Sequence, residues 1–278
     1  MAERIAAVIG HPIGHSLSPA LFEEFARADG IDLEYRAIDV HPDELGPTLA
    51  RWRGDARFVG CNVTMPHKER IIPLLDRCSD AAKACSAVNV VRRENGGFVG
   101  ENTDVAGIAA TLAAVGYSPK GSTAVIFGAG GGANAVVEVL GEQGAAEVWI
   151  VARTVSRART LAERATARWP ATTFGVLALG DDVPPPAKLY VNATPLGQTG
   201  QPTRSLLPFN VRLGSCAFDL VYRPANTPFL REARAKGLHA IGGFTMLLEQ
   251  ALATYEAWFS ERPPIDDGAR KRLEALAA

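Results

Sequence analysis

The sequence predicts an α/β fold built from two units, and three observations predict it. Short β-branched runs alternate with amphipathic helical stretches along the whole chain, the pattern of strands joined by crossover helices into parallel sheets. The chain has 278 residues, enough for about two domains. A fresh strand begins at Thr123, just after a helix that Gly116 closes, and a glycine-rich turn follows it directly.

Taken in order, strands are expected over residues 4–9, 34–39, 58–63, 87–91, 123–127, 147–151, 189–192 and 217–220. Helices are expected over 19–28, 105–115, 132–141, 155–168, 228–236 and 244–259. Ser18-Pro19 and Thr227-Pro228 each put a capping hydroxyl before a proline at the first helical position. Thr103-Asp104 precedes Ile108, Leu112 and Val115, an apolar face at helical spacing. The run Val183-Pro184-Pro185-Pro186 reads as a surface loop between two strands.

Composition narrows the function classes. Lys+Arg is 29 and Asp+Glu is 30, so the chain lacks the basic excess of a nucleic-acid binder and the polybasic signal of a membrane-surface protein. No apolar stretch is long enough to span a bilayer, and the N-terminal segment reads as a first strand and not as a signal peptide. Cys61, Cys78, Cys85 and Cys216 form no C-x-x-C pair, so no metal site is indicated and a cytoplasmic protein with reduced thiols is expected. Of the basic residues 23 are Arg and only 6 are Lys, so a lysine inside a polar motif draws attention.

The glycine-rich turn is Gly128-Ala129-Gly130-Gly131-Gly132-Ala133, a G-x-G-x-x-A pattern between strand and helix. Such glycines let backbone approach a pyrophosphate at a helix N-terminus, so residues 128–133 are expected to bind a dinucleotide in a Rossmann unit. The following strand ends at Ala152, Arg153, Thr154 and Arg157, where an NAD site usually carries an acid. Two arginines four apart can clamp a 2′-phosphate, which favours NADP, with NAD as the alternative cofactor. The bland reading is a solvated helix start.

The polar residues of the first unit gather in short motifs: Ser16 and Ser18; Asn62, Thr64 and Lys68 in Gly60-Cys61-Asn62-Val63-Thr64-Met65-Pro66-His67-Lys68; Asn89; and Asn102-Thr103-Asp104. They supply hydroxyls, amides, one carboxylate and one ammonium, a set suited to a small hydroxylated acid. In this order the motifs resemble the shikimate dehydrogenase family. The resemblance extends to Asn192-Ala193-Thr194-Pro195, to Asp219 with Tyr222-Arg223-Pro224, and to Gly242 with Gln250.

The resemblance implies an N-terminal α/β domain that binds shikimate or a close relative and a Rossmann domain that binds NADP or NAD. It implies hydride transfer between shikimate and 3-dehydroshikimate, a reaction of aromatic amino acid biosynthesis. Ser16 and Ser18 would hold the substrate carboxylate, and Asn62, Thr64, Asn89, Asp104 and Gln250 its ring hydroxyls. Thr103 and Tyr222 would line the substrate cleft, Asn192 and Thr194 would lie by the cofactor, and Lys68 and Asp104 would be the catalytic pair. Because Gln250 returns after the Rossmann unit, the substrate domain is expected over 1–103 with C-terminal helices 243–278, and the cofactor domain over 104–242. The protein is expected to be a monomer or homodimer.

Pro66 suits the first turn of a helix, so Lys68 is expected near a helix N-terminus that disfavours its charge, an effect that a nearby Asp104 would oppose. Ser18 and Asp104 also read as helix caps, and Gln250, one turn from Met246 and Thr254, also reads as solvent-facing. Cys61 reads as a buried apolar residue. The chain departs from the family pattern at Ala152, Val90, Gln198 and Phe22-Glu23. The departures keep two alternatives open. One is an NAD-linked quinate/shikimate or aminoshikimate dehydrogenase paralogue; the other, of a different class, is a catalytically poor module that binds a shikimate-like ligand.

Overall fold

Two units divide the chain: Met1–Gly107 with Leu248–Leu276, and Ile108–Leu247 with Ala277–Ala278. The computed structural model describes residues 3–14, 16–180 and 184–277. Val183, in the proline run named above, lies outside the described residues.

In chain order the elements are β1 (Arg4–Gly10), α1 (Ser18–Asp29), β2 (Leu33–Asp39), α2 (Leu45–Arg53), β3 (Phe58–Val63), α3 (His67–Arg70), β4 (Arg77–Cys78), α4 (Asp80–Cys85), β5 (Val90–Glu94), β6 (Gly97–Glu101) and α5 (Asp104–Ala114). There follow β7 (Thr123–Phe127), α6 (Gly131–Glu142), β8 (Glu147–Ala152), α7 (Val155–Arg168), β9 (Thr173–Ala178), β10 (Leu189–Asn192), β11 (Cys216–Asp219), α8 (Pro228–Ala235), β12 (His239–Ile241), α9 (Phe244–Phe259) and α10 (Asp267–Ala275). The unit boundaries fall within α5 and α9, and Asp104 lies in the first unit.

The first unit carries a six-stranded sheet in the order β2-β1-β3-β5-β6-β4. It is mixed, which corrects the expectation of a parallel sheet: β5 runs antiparallel to β3 and β6. The cause is the Asn95-Gly96 turn, where both residues have positive φ, 50° and 79°, the backbone of a two-residue hairpin. The strand expected over 87–91 therefore begins only at Val90. One face of the sheet packs Ile9, Phe58, Val63, Val91 and Phe98 against Leu45 and Leu49 of α2. An aromatic cluster joins α1, β2 and α9: Phe22 stacks on Tyr35 at 4.3 Å and meets Trp258 at 5.1 Å. Trp258 donates from its indole to the Val91 carbonyl at 3.1 Å, over Gly60, where an added Cβ would stand 2.4 Å from the indole nitrogen. Only glycine lets α9 dock this closely on β3.

The second unit is a Rossmann fold. Its sheet, β12-β11-β10-β7-β8-β9, is parallel at every pairing. The chain winds outward through β7, β8 and β9, then crosses to β10, β11 and β12, so the strand order reverses between β7 and β10. Ligands of such sheets bind at the strand ends flanking that reversal. The core includes Val125, Phe127, Val151, Tyr190, Ala217, Phe229 and Leu230.

Several local expectations are corrected. Ser18 is not a cap: α1 starts at Ser18, its N-cap position is Leu17, and the Ser18 N–H takes the Ser16 hydroxyl oxygen at 3.2 Å. Val115 lies past the end of α5 and is exposed, while Ile108 and Leu112 are buried. Pro184, expected on the surface, is buried. Thr227 does cap α8, accepting from the Leu230 N–H at 3.2 Å.

Candidate active site

Within the first unit, the ends of β3, α3, β5, α5 and α9 bring most of the expected polar residues together. Lys68 sits in α3, and its carbonyl accepts from the Val88 N–H at 2.8 Å. Beside it His67 is fully buried and donates from Nε2 to the Val40 carbonyl at 2.7 Å, while its Nδ1 has no partner. Burial holds the His67 pKa below its usual range, so the ring is neutral and ties the Lys68 turn to the chain after β2.

The Lys68 Nζ stands 2.5 Å from Asp104 Oδ2 across 36 residues of sequence. Asp104 is buried and Lys68 largely so. The two opposing influences expected on the lysine are unequal in kind: α3 has only four residues, so its aligned peptide dipoles are few, and a full carboxylate charge lies in contact.

Asn89 organises the rest. Its Oδ1 accepts from the Thr103 N–H at 2.7 Å. Its Nδ2 lies 2.9 Å from Asp104 Oδ1, 3.0 Å from Thr103 Oγ1 and 3.3 Å from Gln250 Oε1. Asn102 Oδ1 takes the Asp104 N–H at 3.1 Å. Gln250 is buried against this group, which excludes the solvent-facing reading. Asn62 is buried at the end of β3, and Thr64, just beyond it, is half-buried. Ser16 and Ser18 stand at the start of α1, a twelve-residue helix with no side-chain cap and no acid in its first turn. That end carries hydroxyls and helix amides, which suit a carboxylate.

Sequence reasoning missed two residues of this network. The Tyr35 hydroxyl donates to Asn62 Oδ1 at 2.8 Å, and Thr254 Oγ1 accepts from Asn62 Nδ2 at 3.2 Å. Thr254 stands four residues after Gln250, the helical spacing that puts both on one face. Cys61 is fully buried, and burial pushes its thiol pKa up, so it is no nucleophile.

The second unit presents a separate arrangement. Gly128 follows β7 with φ of +117°, and an added Cβ would lie 2.9 Å from the Ala193 carbonyl, so both its dihedral and its neighbour demand glycine. Beyond it Ala129, Gly130 and Gly131 lead into α6, with Gly132 and the buried Ala133 in its first turn. Nothing stands within 4 Å of where a Gly130 Cβ would be, and α6 has neither a side-chain cap nor an acid in its first turn. Arg153, Thr154 and Arg157 are exposed just past β8, and Ala152 is buried. Open backbone amides beside two cations fit a dinucleotide carrying an extra phosphate.

Asn192 and Thr194 do not present free side chains. Asn192 is fully buried; its Nδ2 donates to the Leu196 carbonyl at 3.1 Å and to Asp219 Oδ1 at 2.9 Å. Its Oδ1 accepts from the Thr194 N–H and hydroxyl. Asp219 also takes the Val221 N–H at 3.0 Å and the Thr227 hydroxyl at 2.6 Å. These bonds shape the loops after β10 and β11. Burial raises the Asp219 pKa to about 6 against those three donors. Tyr222, half-buried, lies in the loop after β11, in this unit and not in the first.

Among the described residues no group of three or more His, Cys, Asp or Glu could hold a metal ion, and no helix is long and apolar enough to cross a membrane.

Residues 8–91 match the family model of the shikimate dehydrogenase substrate binding domain, and residues 111–176 that of shikimate / quinate 5-dehydrogenase. The chain is 38% identical to a shikimate dehydrogenase (NADP(+)) of Methylobacterium radiotolerans, over 97% of this chain and 96% of the relative. The chain belongs to the shikimate dehydrogenase family. The first matched segment takes in Ser16, Ser18, Asn62, Thr64, Lys68 and Asn89; the second takes in the glycine turn, Arg153 and Arg157. Another family structure, the shikimate 5-dehydrogenase of Thermus thermophilus in complex with NADP(H) and shikimate, aligns with a TM-score of 0.85 at 36% identity, covering 99% of this chain and 100% of that one. The 5-ketofructose reductase of a Gluconobacter strain shares the fold at a TM-score of 0.86 and 27% identity, covering 98% of each chain.

Proposed function

We propose that this protein is an enzyme that interconverts shikimate and 3-dehydroshikimate with NADP. The observation that carries the reading is the Lys68–Asp104 pair, set beside Asn89, Thr103 and Gln250; Lys68 and Asn89, with Asn62 and Thr64, lie in the matched substrate-binding segment.

Bound NADP supplies the hydride acceptor on oxidation and the donor on reduction. The remaining tasks fall to the chain. Ser16, Ser18 and the open N-terminus of α1 bind the carboxylate. Asn62, Thr64, Asn89 and Gln250 bind ring hydroxyls, and Thr103 orients Asn89. Burial strips water from these groups, so each hydroxyl that the pocket matches gains a partner and each mismatch leaves one unpaired. As the C–H electrons leave as hydride, the hydroxyl proton passes to the Lys68–Asp104 pair, which acts as a unit. Asn89 restrains the carboxylate throughout through Asp104 Oδ1. Gly128–Ala133 backbone holds the pyrophosphate, and Arg153, Thr154 and Arg157 bind the 2′-phosphate.

The test is a spectrophotometric screen of shikimate, quinate and aminoshikimate, each with NADP+ and NAD+. Shikimate with NADP+ is expected to give the highest kcat/KM. A different winning pair replaces this reading with the quinate- or amino-linked one, and binding without turnover replaces it with a ligand-binding module.

A further inference from the structure

Asn62, buried at the end of β3, carries an amide whose two ends meet side chains from different elements. An asparagine amide has two orientations that exchange donor and acceptor, and the hydrogen-bond network decides between them. Here it decides. The Thr254 hydroxyl has one hydrogen, and the Gln250 carbonyl, 2.9 Å away in the preceding turn of α9, can only accept it. Thr254 Oγ1 can therefore only accept from Asn62, and the atom facing it at 3.2 Å is Nδ2. The opposite end is then Oδ1, and the Tyr35 hydroxyl at 2.8 Å donates to it. The Tyr35 ring is itself held against Phe22, 4.3 Å between centroids and 8° from parallel. Turning the amide over would set Oδ1 against a threonine oxygen whose hydrogen is already committed.

We propose that Tyr35 on β2 and Thr254 on α9 are positioning residues that lock the Asn62 amide, and so fix which substrate hydroxyl is offered an acceptor and which a donor. The locked amide keeps one Nδ2 hydrogen and one Oδ1 lone pair beyond these two bonds. A ligand must therefore present a hydroxyl able to donate at one edge and an oxygen able to accept at the other. Thr254 also receives the Thr103 hydroxyl at 3.2 Å, so the same oxygen braces a second residue of the network. This inference rests on the reading of Asn62 as a substrate ligand given above.

Tyr35→Phe and Thr254→Val each remove one hydroxyl and keep the buried shape. The full-length variants are assayed with shikimate at saturating NADP+. Each is expected to raise KM about three- to tenfold while kcat stays within about threefold, the size of one lost hydrogen bond. The pH profile of kcat is expected to stay in place, and Thr254→Ser to restore KM to within about twofold. In an Asn62→Ala background, Tyr35→Phe is expected to change KM by less than about twofold, because its target is gone. A wild-type enzyme that oxidises shikimate, paired with variants of unchanged KM, overturns the lock alone. So does a Tyr35→Phe effect that persists in the Asn62→Ala background. A wild type that does not oxidise shikimate overturns the functional reading and this inference together.

Discussion

The Oε1 of Gln250 lies 3.3 Å from the Nδ2 of Asn89, across 161 residues of sequence. The Asn89 amide has two hydrogens and faces three acceptors, of which Gln250 is the most distant. Thr103 and Asp104 are the nearer partners that keep Asn89 in place, and Gln250 brings α9 to the same amide.

Replacing Gln250 by Ala is therefore expected to raise KM for shikimate about tenfold, the scale of one good hydrogen bond, with a smaller change in kcat. Steady-state kinetics with shikimate varied measure this. An unchanged KM would remove Gln250 from the substrate site.

The cofactor preference is proposed to rest on the two arginines after β8. NADP and NAD differ only by the 2′-phosphate, so the double change Arg153→Ala, Arg157→Ala is expected to weaken NADP binding about ten- to a hundredfold. Binding of NAD is expected to change little. Calorimetric Kd values for both cofactors in both proteins test this; equal losses for the two would show that the arginines do not read the phosphate.

Asp219 makes stability depend on pH in an unusual direction for a carboxylate. Its pKa is raised to about 6 from 3.8, chiefly by burial. Between those values the folded chain keeps a proton that the unfolded chain releases. Stability from this group is therefore greatest below about pH 4, falls as pH rises through about 6, and is lower by up to about 3 kcal/mol above that. Asp219→Asn cannot titrate. The stability of the wild type relative to this variant is expected to fall between acid and neutral pH in denaturant titrations; a difference that is flat with pH would place the Asp219 pKa near its ordinary value.

The glycine turn was legible in the sequence because its requirements are local: a positive φ at Gly128, close backbone approach, and a helix directly behind. The Lys68–Asp104 pair was legible only through its motifs, since nothing in the sequence between them shows that α3 and α5 meet. The β5–β6 hairpin was missed although Asn95-Gly96 announces it, because Arg92 and Arg93 masked the strand. In the fold Arg92 pairs with Glu101 across the hairpin, and Arg93 donates to the carbonyls of Arg53, at the end of α2, and of Asp55 beyond it. Asn192 and Thr194 are expected at the cofactor by motif, and the bond from Asn192 to Asp219 on a neighbouring strand is a relationship that only the sheet order reveals. Tyr35 and Thr254 escaped notice for the same reason: each is unremarkable on its own element and acquires meaning from Asn62.

The most direct measurement is the initial rate of NADPH formation from shikimate and NADP+, by wild type and by Lys68→Ala side by side. The wild type is expected to turn over, and the variant to lose about 10²–10⁴ in kcat with a smaller change in KM, the range for one general acid–base group. No NADPH formed by the wild type, or a variant with near-normal kcat, would contradict the assignment of Lys68 and Asp104 as the chemical centre of this enzyme.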